Sequence, residues 1–201
     1  MKNIEITTRI KDSLEKTLRI LQNQGFKIKE KYLMKDIYLS ERVKELKKTN
    51  ILDILSSCVL LREIIEEDNN IRYLVYKDKV YDSSRVISED RIKVIVDNLD
   101  NVSKIFNKLG FSKLVQLQQD MTIVSNGKIE LCLQDVSGLG LMLEYENNKD
   151  FTNVSCEDIL KEKRKMLEEI KSYNLNITDE YDVKKAYELI YKDIDKNKNK
   201  D

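Results

Sequence analysis

An α+β domain built on a large antiparallel sheet or barrel is what this sequence predicts, and three observations carry that reading. Several successive extended runs are joined by short turns, whereas a parallel sheet would need a crossover of a dozen or more residues between strands. Asp68-Asn69-Asn70 and Ser125-Asn126-Gly127 stand between β-rich runs as hairpin turns. Helical periodicity is confined to a few segments, two of which close the chain.

The elements follow in order. Residues 4–10 place Ile4, Ile6 and Ile10 on one side of an extended chain and Glu5, Thr7 and Arg9 on the other. Asp12 or Ser13 can cap a helix with Leu14, Leu18 and Leu21 on one stripe, and Gly25 supplies its left-handed stop. Residues 26–40 return as extended chain, and the charged stretch 41–50 is helix or loop. Residues 58–65 and 71–77 form a hairpin, and a further strand covers 90–96. Residues 102–109 are helical and end at Gly110. A second hairpin pairs 114–124 with 128–136, and a last strand spans 141–146. Residues 155–173 and 179–194 are helical, and the Lys-Asn tail 195–201 frays. The sequence thus describes a single domain over 1–194, with its sheet in about 1–150 and its C-terminal helices in about 155–194.

Composition narrows the chemistry. Among 201 residues, 41% are hydrophobic and 36% charged, which describes a soluble globular chain. Lys and Arg number 36, as do Asp and Glu, so the formal net charge is zero. No long-range field draws the molecule to nucleic acid or to an anionic membrane. The absence of His removes Ser-His-Asp and Cys-His sites and His-ligated zinc, leaving carboxylates, amines and hydroxyls. Five scattered glycines cannot write a Walker loop or a dinucleotide fingerprint. Cys58, Cys132 and Cys156 are odd in number and widely spaced, as suits buried free thiols in a reducing compartment. No apolar run approaches a membrane span of roughly 20 residues. A cytoplasmic location is expected.

Several strands carry charge at alternate positions: Glu5 and Arg9, Arg62, Lys77, Glu89 with Arg91 and Lys93, and Glu144 with Glu146. Such alternation arises from the solvent face of a one-sided sheet, or from the lumen of a sheet curled into a barrel. In a lumen the carboxylates suit a divalent metal, while Lys and Arg suit phosphate oxygens. Periodicity alone does not choose. The tyrosines of the C-terminal segment, Tyr173, Tyr181, Tyr187 and Tyr191, have the spacing of residues that pack on a wall, and Tyr187 is expected to be structural. The Lys-rich segment 27–48 reads as a solvated face.

The order of motifs resembles the CYTH superfamily, which unites class IV adenylate cyclases with thiamine triphosphatases and related triphosphate tunnel enzymes. Glu5-Ile6-Thr7-Thr8-Arg9 is similar to the family's N-terminal Glu-x-Glu-x-Lys strand, Asp36-Ile37-Tyr38 to Asp-Thr-Tyr, Leu61-Arg62-Glu63-Ile64 to Leu-Arg-x-Arg, and Tyr76-Lys77-Asp78 to Tyr-Lys-Gly. Gly138-Leu139-Gly140 followed by Leu143-Glu144-Tyr145-Glu146 is similar to the Leu-Gly and Glu-x-Glu ending, and Ala186-Tyr187-Glu188-Leu189 to the class IV cyclase tail. The resemblance implies an eight-stranded antiparallel tunnel-like β-barrel with flanking helices and a helical C-terminus. It implies a lumen that binds a nucleoside or organic triphosphate with Mg²⁺ or Mn²⁺, in a monomer or homodimer. Carried over by position, Glu5, Glu144 and Glu146 would be metal ligands, and Arg9, Arg62, Lys77 and Arg85 would contact phosphate.

The departures are specific. Thr7 stands where the family has a second carboxylate, Ile64 where it has a second arginine, and Gln116-Leu117-Gln118 where it has Lys-x-Arg. Gln134 replaces an Asp, with Asp135 one residue out of register and so on the opposite face. Thr7, Gln116, Gln118 and Gln134 are then expected as neutral polar residues of the lumen. Losing cations costs roughly 1.5 to 3 kcal/mol per charge-assisted contact. The implied function is metal-dependent hydrolysis or cyclisation of a triphosphate; the alternative is an inactive tunnel protein that binds a phosphorylated ligand or anion.

Overall fold

The computed structural model describes residues 4–82, 85–147 and 149–198. Eight strands form one antiparallel sheet: β1 (Ile4–Arg9), β2 (Lys27–Ser40), β3 (Ser57–Ile65), β4 (Asn70–Asp82), β5 (Arg85–Ile95), β6 (Ser112–Ser125), β7 (Glu130–Val136) and β8 (Gly140–Asn147). Their spatial order is β1-β8-β7-β6-β2-β3-β4-β5. Both expected hairpins are present, β3 with β4 and β6 with β7, because Asn-rich and Asn-Gly turns reverse the chain within a few residues. The β7–β8 turn needs Gly138 at φ 80° and Gly140 at φ 88°, where a side chain would be strained.

The strand period of two sorts residues onto two faces. On the convex face, Ile4, Ile6, Leu131, Leu133 and Leu143 form a dry cluster with helices α1 (Leu14–Gln22) and α4 (Cys156–Ser172). Ser13 caps α1 by accepting from the Lys16 amide, and Ser155 caps α4 by accepting from the Asp158 amide. Further along the same face, helix α3 (Leu99–Lys108) covers Leu39, Val59 and Leu61. The opposite, concave face is a lumen. One end of it is filled by apolar residues, where Tyr38, Leu55, Leu60, Val75, Val115 and Leu117 meet Ala186 and Ile190. These last come from helix α5 (Lys185–Lys198), and Leu55 from a short helix α2 (Ile51–Ser56).

The stretch 41–50, expected as helix or loop, forms two single 3₁₀ turns. Two features depart from the sequence expectation, the first being the short helix α2 that follows these turns, anchored by its buried Ile51, Ile54 and Leu55; six residues are too few to show a helical period. Helix α5 starts at Lys185, not at 179, and runs on to Lys198, past the expected end at 194. Residues 176–183 are instead extended and bonded to β1: the Thr7 amide donates to the Tyr181 carbonyl (3.1 Å), the Val183 amide to Thr7 (3.1 Å) and the Thr178 amide to Arg9 (3.0 Å). Asn174, at φ 56°, turns the chain out of α4 into this segment. Satisfying the free edge of β1 outweighs the local helical pattern.

That edge defines the shape. The strands β1 and β5 end the sheet, and among the described residues no hydrogen-bonded ladder joins them, so the sheet curls around its lumen without closing as a complete barrel. An ion pair spans the seam, from Arg91 Nη2 on β5 to Glu5 Oε2 on β1 at 3.0 Å. The convex cluster carries much of the stability, so Leu133→Ala should cost about 2 to 5 kcal/mol by transfer and cavity terms. Leu109→Ala, at a side chain 65% exposed, should stay within about 0.5 kcal/mol. Urea unfolding midpoints of the two variants measure this contrast.

Candidate functional site

The lumen is a cavity of about 410 Å³. Its walls differ in character. Strands β2 and β6, in the middle of the sheet, contribute Tyr32, Met34, Leu117, Met121 and Ile123. The strands on either side of the seam contribute charge: Glu5 and Thr7 from β1, Glu144 and Glu146 from β8, Lys77 and Lys79 from β4, and Arg91 from β5. Arg62 of β3 stands between the two walls beside Asp36.

The geometry sorts the residues expected from the sequence. Glu5 faces Glu146 directly across the β1–β8 register, and Thr7 faces Glu144, so the three carboxylates share one patch of wall. Arg62, Lys77 and Gln134 also line the cavity. Arg9 lies on the same face of β1 but outside the lining; it pairs with Glu188 and, at 3.5 Å, with Glu180, and so ties the C-terminal segment to the sheet. The side chain of Arg85 lies outside the described residues. Gln116 and Gln118 are a correction: both are exposed on the convex face, where Gln116 accepts from Lys113. Their strand is phased by Val115, Leu117 and Gln119, which turn inward, and Gln119 is the amide that reaches the lumen.

Each lumen cation named here is matched by a carboxylate. Arg62 makes a bidentate pair with Asp36, Nε to Oδ1 and Nη2 to Oδ2 both at 2.7 Å. Lys77 and Lys79 reach Glu89 at 3.2 and 3.0 Å, and Arg91 also bonds Glu89. Burial alone would raise the Glu89 carboxyl, but these three cations hold it far below the usual carboxylate range. Burial lowers the Lys77 ammonium to about 8 against the opposing pull of Glu89. Lys185 Nζ donates to Gln134 Oε1 at 2.5 Å and to Glu144 Oε2 at 3.0 Å. Burial pushes Glu144 up, and the Lys185 ammonium more than offsets it, bringing the carboxyl down to about 2.

Sequence reasoning missed Lys79, Lys184, Lys185 and Gln119 as lumen residues, and assigned no role to Glu89, Arg91 or Asp36. For Lys79 and Arg91 the signal was present, since they continue the alternation that singled out Lys77 and Glu89. For Lys184 and Lys185 there was none, because their segment enters the lumen only through its pairing with β1. Tyr187 packs in the apolar end and stacks on Tyr191 with centroids 6.0 Å apart, yet it also borders the cavity. The three cysteines are free: Cys58 is buried, Cys132 lies half-buried in the lumen, and Cys156, against expectation, is exposed at the start of α4.

Among the described residues no three carboxylates or thiols stand in ligating geometry, and Glu5 and Glu144 are engaged by Arg91 and Lys185. The donor set therefore does not fit an ion held by protein groups alone. The buried pairs give a direct stability test. Asp36→Asn strands the Arg62 guanidinium and should cost about 3 to 5 kcal/mol, whereas Asp36→Asn with Arg62→Met should recover most of that loss. Chemical denaturation of the single and double variants measures the coupling.

Comparison with known proteins agrees with this geometry. No family model matches the chain. A Methanocaldococcus jannaschii protein named as a candidate adenylate cyclase is 31% identical over 185 residues, covering 92% of this chain and 96% of its own. A solved Pyrococcus horikoshii protein superposes with a TM-score of 0.71 at 15% identity, over 95% of this chain and 99% of that one. A candidate adenylyl cyclase from Hippeastrum, described as having a dominant triphosphatase activity, gives 0.62 at 15% identity over 96% of each chain. No helix among the described residues is long and apolar enough to cross a membrane. With a relative at 31% identity across nearly its whole length, and with the motifs of β1, β4 and β8 meeting in one lumen, the chain belongs to the CYTH superfamily, among its class IV adenylate cyclase-like members.

Proposed function

We propose that the lumen binds an organic triphosphate as its Mg²⁺ or Mn²⁺ complex and turns it over slowly, by hydrolysis or cyclisation. One observation carries the reading: Arg62, Lys77, Lys79, Arg91, Lys184 and Lys185, from four separate parts of the chain, converge on one cavity that Glu5, Glu144 and Glu146 also line. A chain of phosphates is the ligand class that repeats negative charge over such a span. The names of the related proteins, a candidate adenylate cyclase and a triphosphatase, point to the same class. Phosphoryl transfer needs positioning and charge stabilisation, not a covalent nucleophile, so a site without His is competent for it.

The residues divide the work. Arg62 keeps a planar fork set by Asp36, and Lys77 and Lys79 offer ammonium groups from neighbouring positions of β4. Lys184 and Lys185 come from the C-terminal segment and replace in part the cations that β6 lacks, where Leu117 and Gln119 face inward. The ion arriving with the ligand would be held by Glu5 and Glu146 and would neutralise charge between phosphates. Because Arg91, Lys77, Lys79 and Lys185 are already matched by internal carboxylates, a triphosphate must displace existing pairs, and binding should be weak.

A second reading, binding without turnover, is favoured by Thr7 and Gln134 standing in the lumen where the family resemblance expects carboxylates. Release of phosphate, pyrophosphate and cyclic nucleotide from several triphosphates separates the two; background release with bound ligand would eliminate the enzyme.

Tripolyphosphate with Mg²⁺ or Mn²⁺ should raise the melting temperature, while the metal without phosphate should not; a ligand at 100 times its Kd adds about 2.7 kcal/mol. Absence of any shift with folded protein would remove the triphosphate reading. Lys185→Gln should weaken tripolyphosphate binding about tenfold, as expected for one charge-assisted contact, measured by calorimetry. Affinity should also fall as pH rises through about 8, because the Lys77 ammonium is lost there, and Lys77→Arg, which keeps its charge, should flatten that decline.

A further inference from the structure

The buried stripe of α4 carries a charge. Ile159, Met166, Leu167 and Ile170 turn into the convex cluster, and Lys163 stands in the same stripe, four residues after Ile159 and three before Met166, at 2% exposure. For packing alone Met or Leu would serve there better, since a buried ammonium is costly unless carboxylates answer it. The carboxylates that act on Lys163 are those of Asp182 and Glu5, which favour its charged form against burial and against the cations Lys184 and Lys79. Both belong to the seam. Glu5 of β1 reaches Arg91 of β5, and Asp182 is bridged to Thr7 on the free edge of β1. Asp182, Lys184 and Lys185 line the cavity, whereas Lys163 stays outside it.

We propose that Lys163 is a positioning residue of the site: from outside the lumen it fastens residues 182–185 to the seam and thereby sets Lys184 and Lys185 at the cavity. The backbone bonds that hold the segment at this end are the Thr7 amide to the Tyr181 carbonyl and the Val183 amide to the Thr7 carbonyl, and α5 begins two residues later. Upstream, Arg9 already ties the segment down through Glu180. Asp182 accepts from Lys184 Nζ at 2.9 Å, so one carboxylate serves both the cation of α4 and a cation of the segment itself. An ammonium reaching the seam from α4 thus couples the helix behind the sheet to the side chains that enter the lumen. The consequence for ligand affinity rests on the triphosphate reading; the fastening does not.

The test is backbone hydrogen exchange on the full chain carrying Lys163→Met, followed by NMR. Met keeps most of the length of the side chain, and neither carboxylate is stranded, because Asp182 retains Lys184 and Glu5 retains Arg91. The Thr7 and Val183 amides should exchange at least about tenfold faster, the size of one charge-assisted contact. Amides of β6 and β7 should keep the parent's rates, and the urea midpoint should not fall. Parental rates at Thr7 and Val183 would overturn the inference, and so would acceleration of all amides together, the mark of a lost core residue. In calorimetry with tripolyphosphate and Mg²⁺ the same variant should bind about fivefold more weakly, less than the loss of Lys185 itself. Unchanged affinity beside faster exchange would take Lys163 out of the site and overturn its positioning role. If the parent protein binds no tripolyphosphate, the triphosphate reading falls, and the exchange rates alone decide the fastening. Should Lys163→Met fail to fold, Asp182→Asn removes the other end of the contact and should accelerate the same two amides; parental rates there overturn the inference.

Discussion

Charge enclosed inside a curled sheet must be paired, and that requirement governs this molecule. Removing ions from water costs several kcal/mol each unless partners of opposite sign and good geometry compensate. Glu89 illustrates the solution, a single carboxylate facing Lys77, Lys79 and Arg91. Arg62 with Asp36 and Lys185 with Glu144 repeat it on other strands. The lumen consequently presents many charges but little uncompensated field. On the proposed function, recognition there exchanges internal partners for external ones, which favours a highly charged ligand over a single phosphate.

The same pairing holds the sheet's seam. Sheets bury their edges by ladder closure or by a cover, and here the cover is made of three unlike parts. Residues 176–183 take up the backbone groups of β1, Arg91 reaches across to Glu5, and α4 packs behind. Lys163 of α4 is buried at this place; burial lowers its ammonium while Asp182 and Glu5 pull the other way. A segment that closes the edge also delivers Lys184 and Lys185 to the cavity, so the closure of the fold and the completion of the site are one structural event. Arg9 serves that event from outside the lumen, through Glu180 and Glu188.

Alternation along β6 explains why the two walls differ. Where the CYTH resemblance expects inward cations, this strand turns Leu117 and Gln119 inward and leaves Gln116 and Gln118 in solvent. Cations from the C-terminal segment approach from the side of β7 and β8 instead, through Gln134 and Glu144. The result is a lumen with a charged side and an apolar side, whereas a simple inventory of lost charges describes it only as weaker.

What the sequence determined by itself was local and periodic. The eight strands, both hairpins and the Ser13 cap follow from period-two alternation and turn chemistry, which involve residues near one another in the chain, and the same alternation puts Glu5 with Thr7 and Glu144 with Glu146 on one face, although only the family resemblance made that face the lumen. Tertiary structure decided the remainder, because it depended on contacts between distant residues. The phase of β6 hung on whether Leu117 or its neighbours met the apolar end of the lumen, a one-residue slip that reverses every side chain. The helical pattern of 179–184 yielded to the unpaired edge of β1, which lies some 170 residues away in sequence, as the Thr8–Thr178 bond records. Which carboxylate neutralises which cation was likewise invisible: Asp36 and Arg62 meet through the β2–β3 register, Glu144 and Lys185 when the C-terminal segment docks, and Glu5 and Arg91 only when the sheet curls.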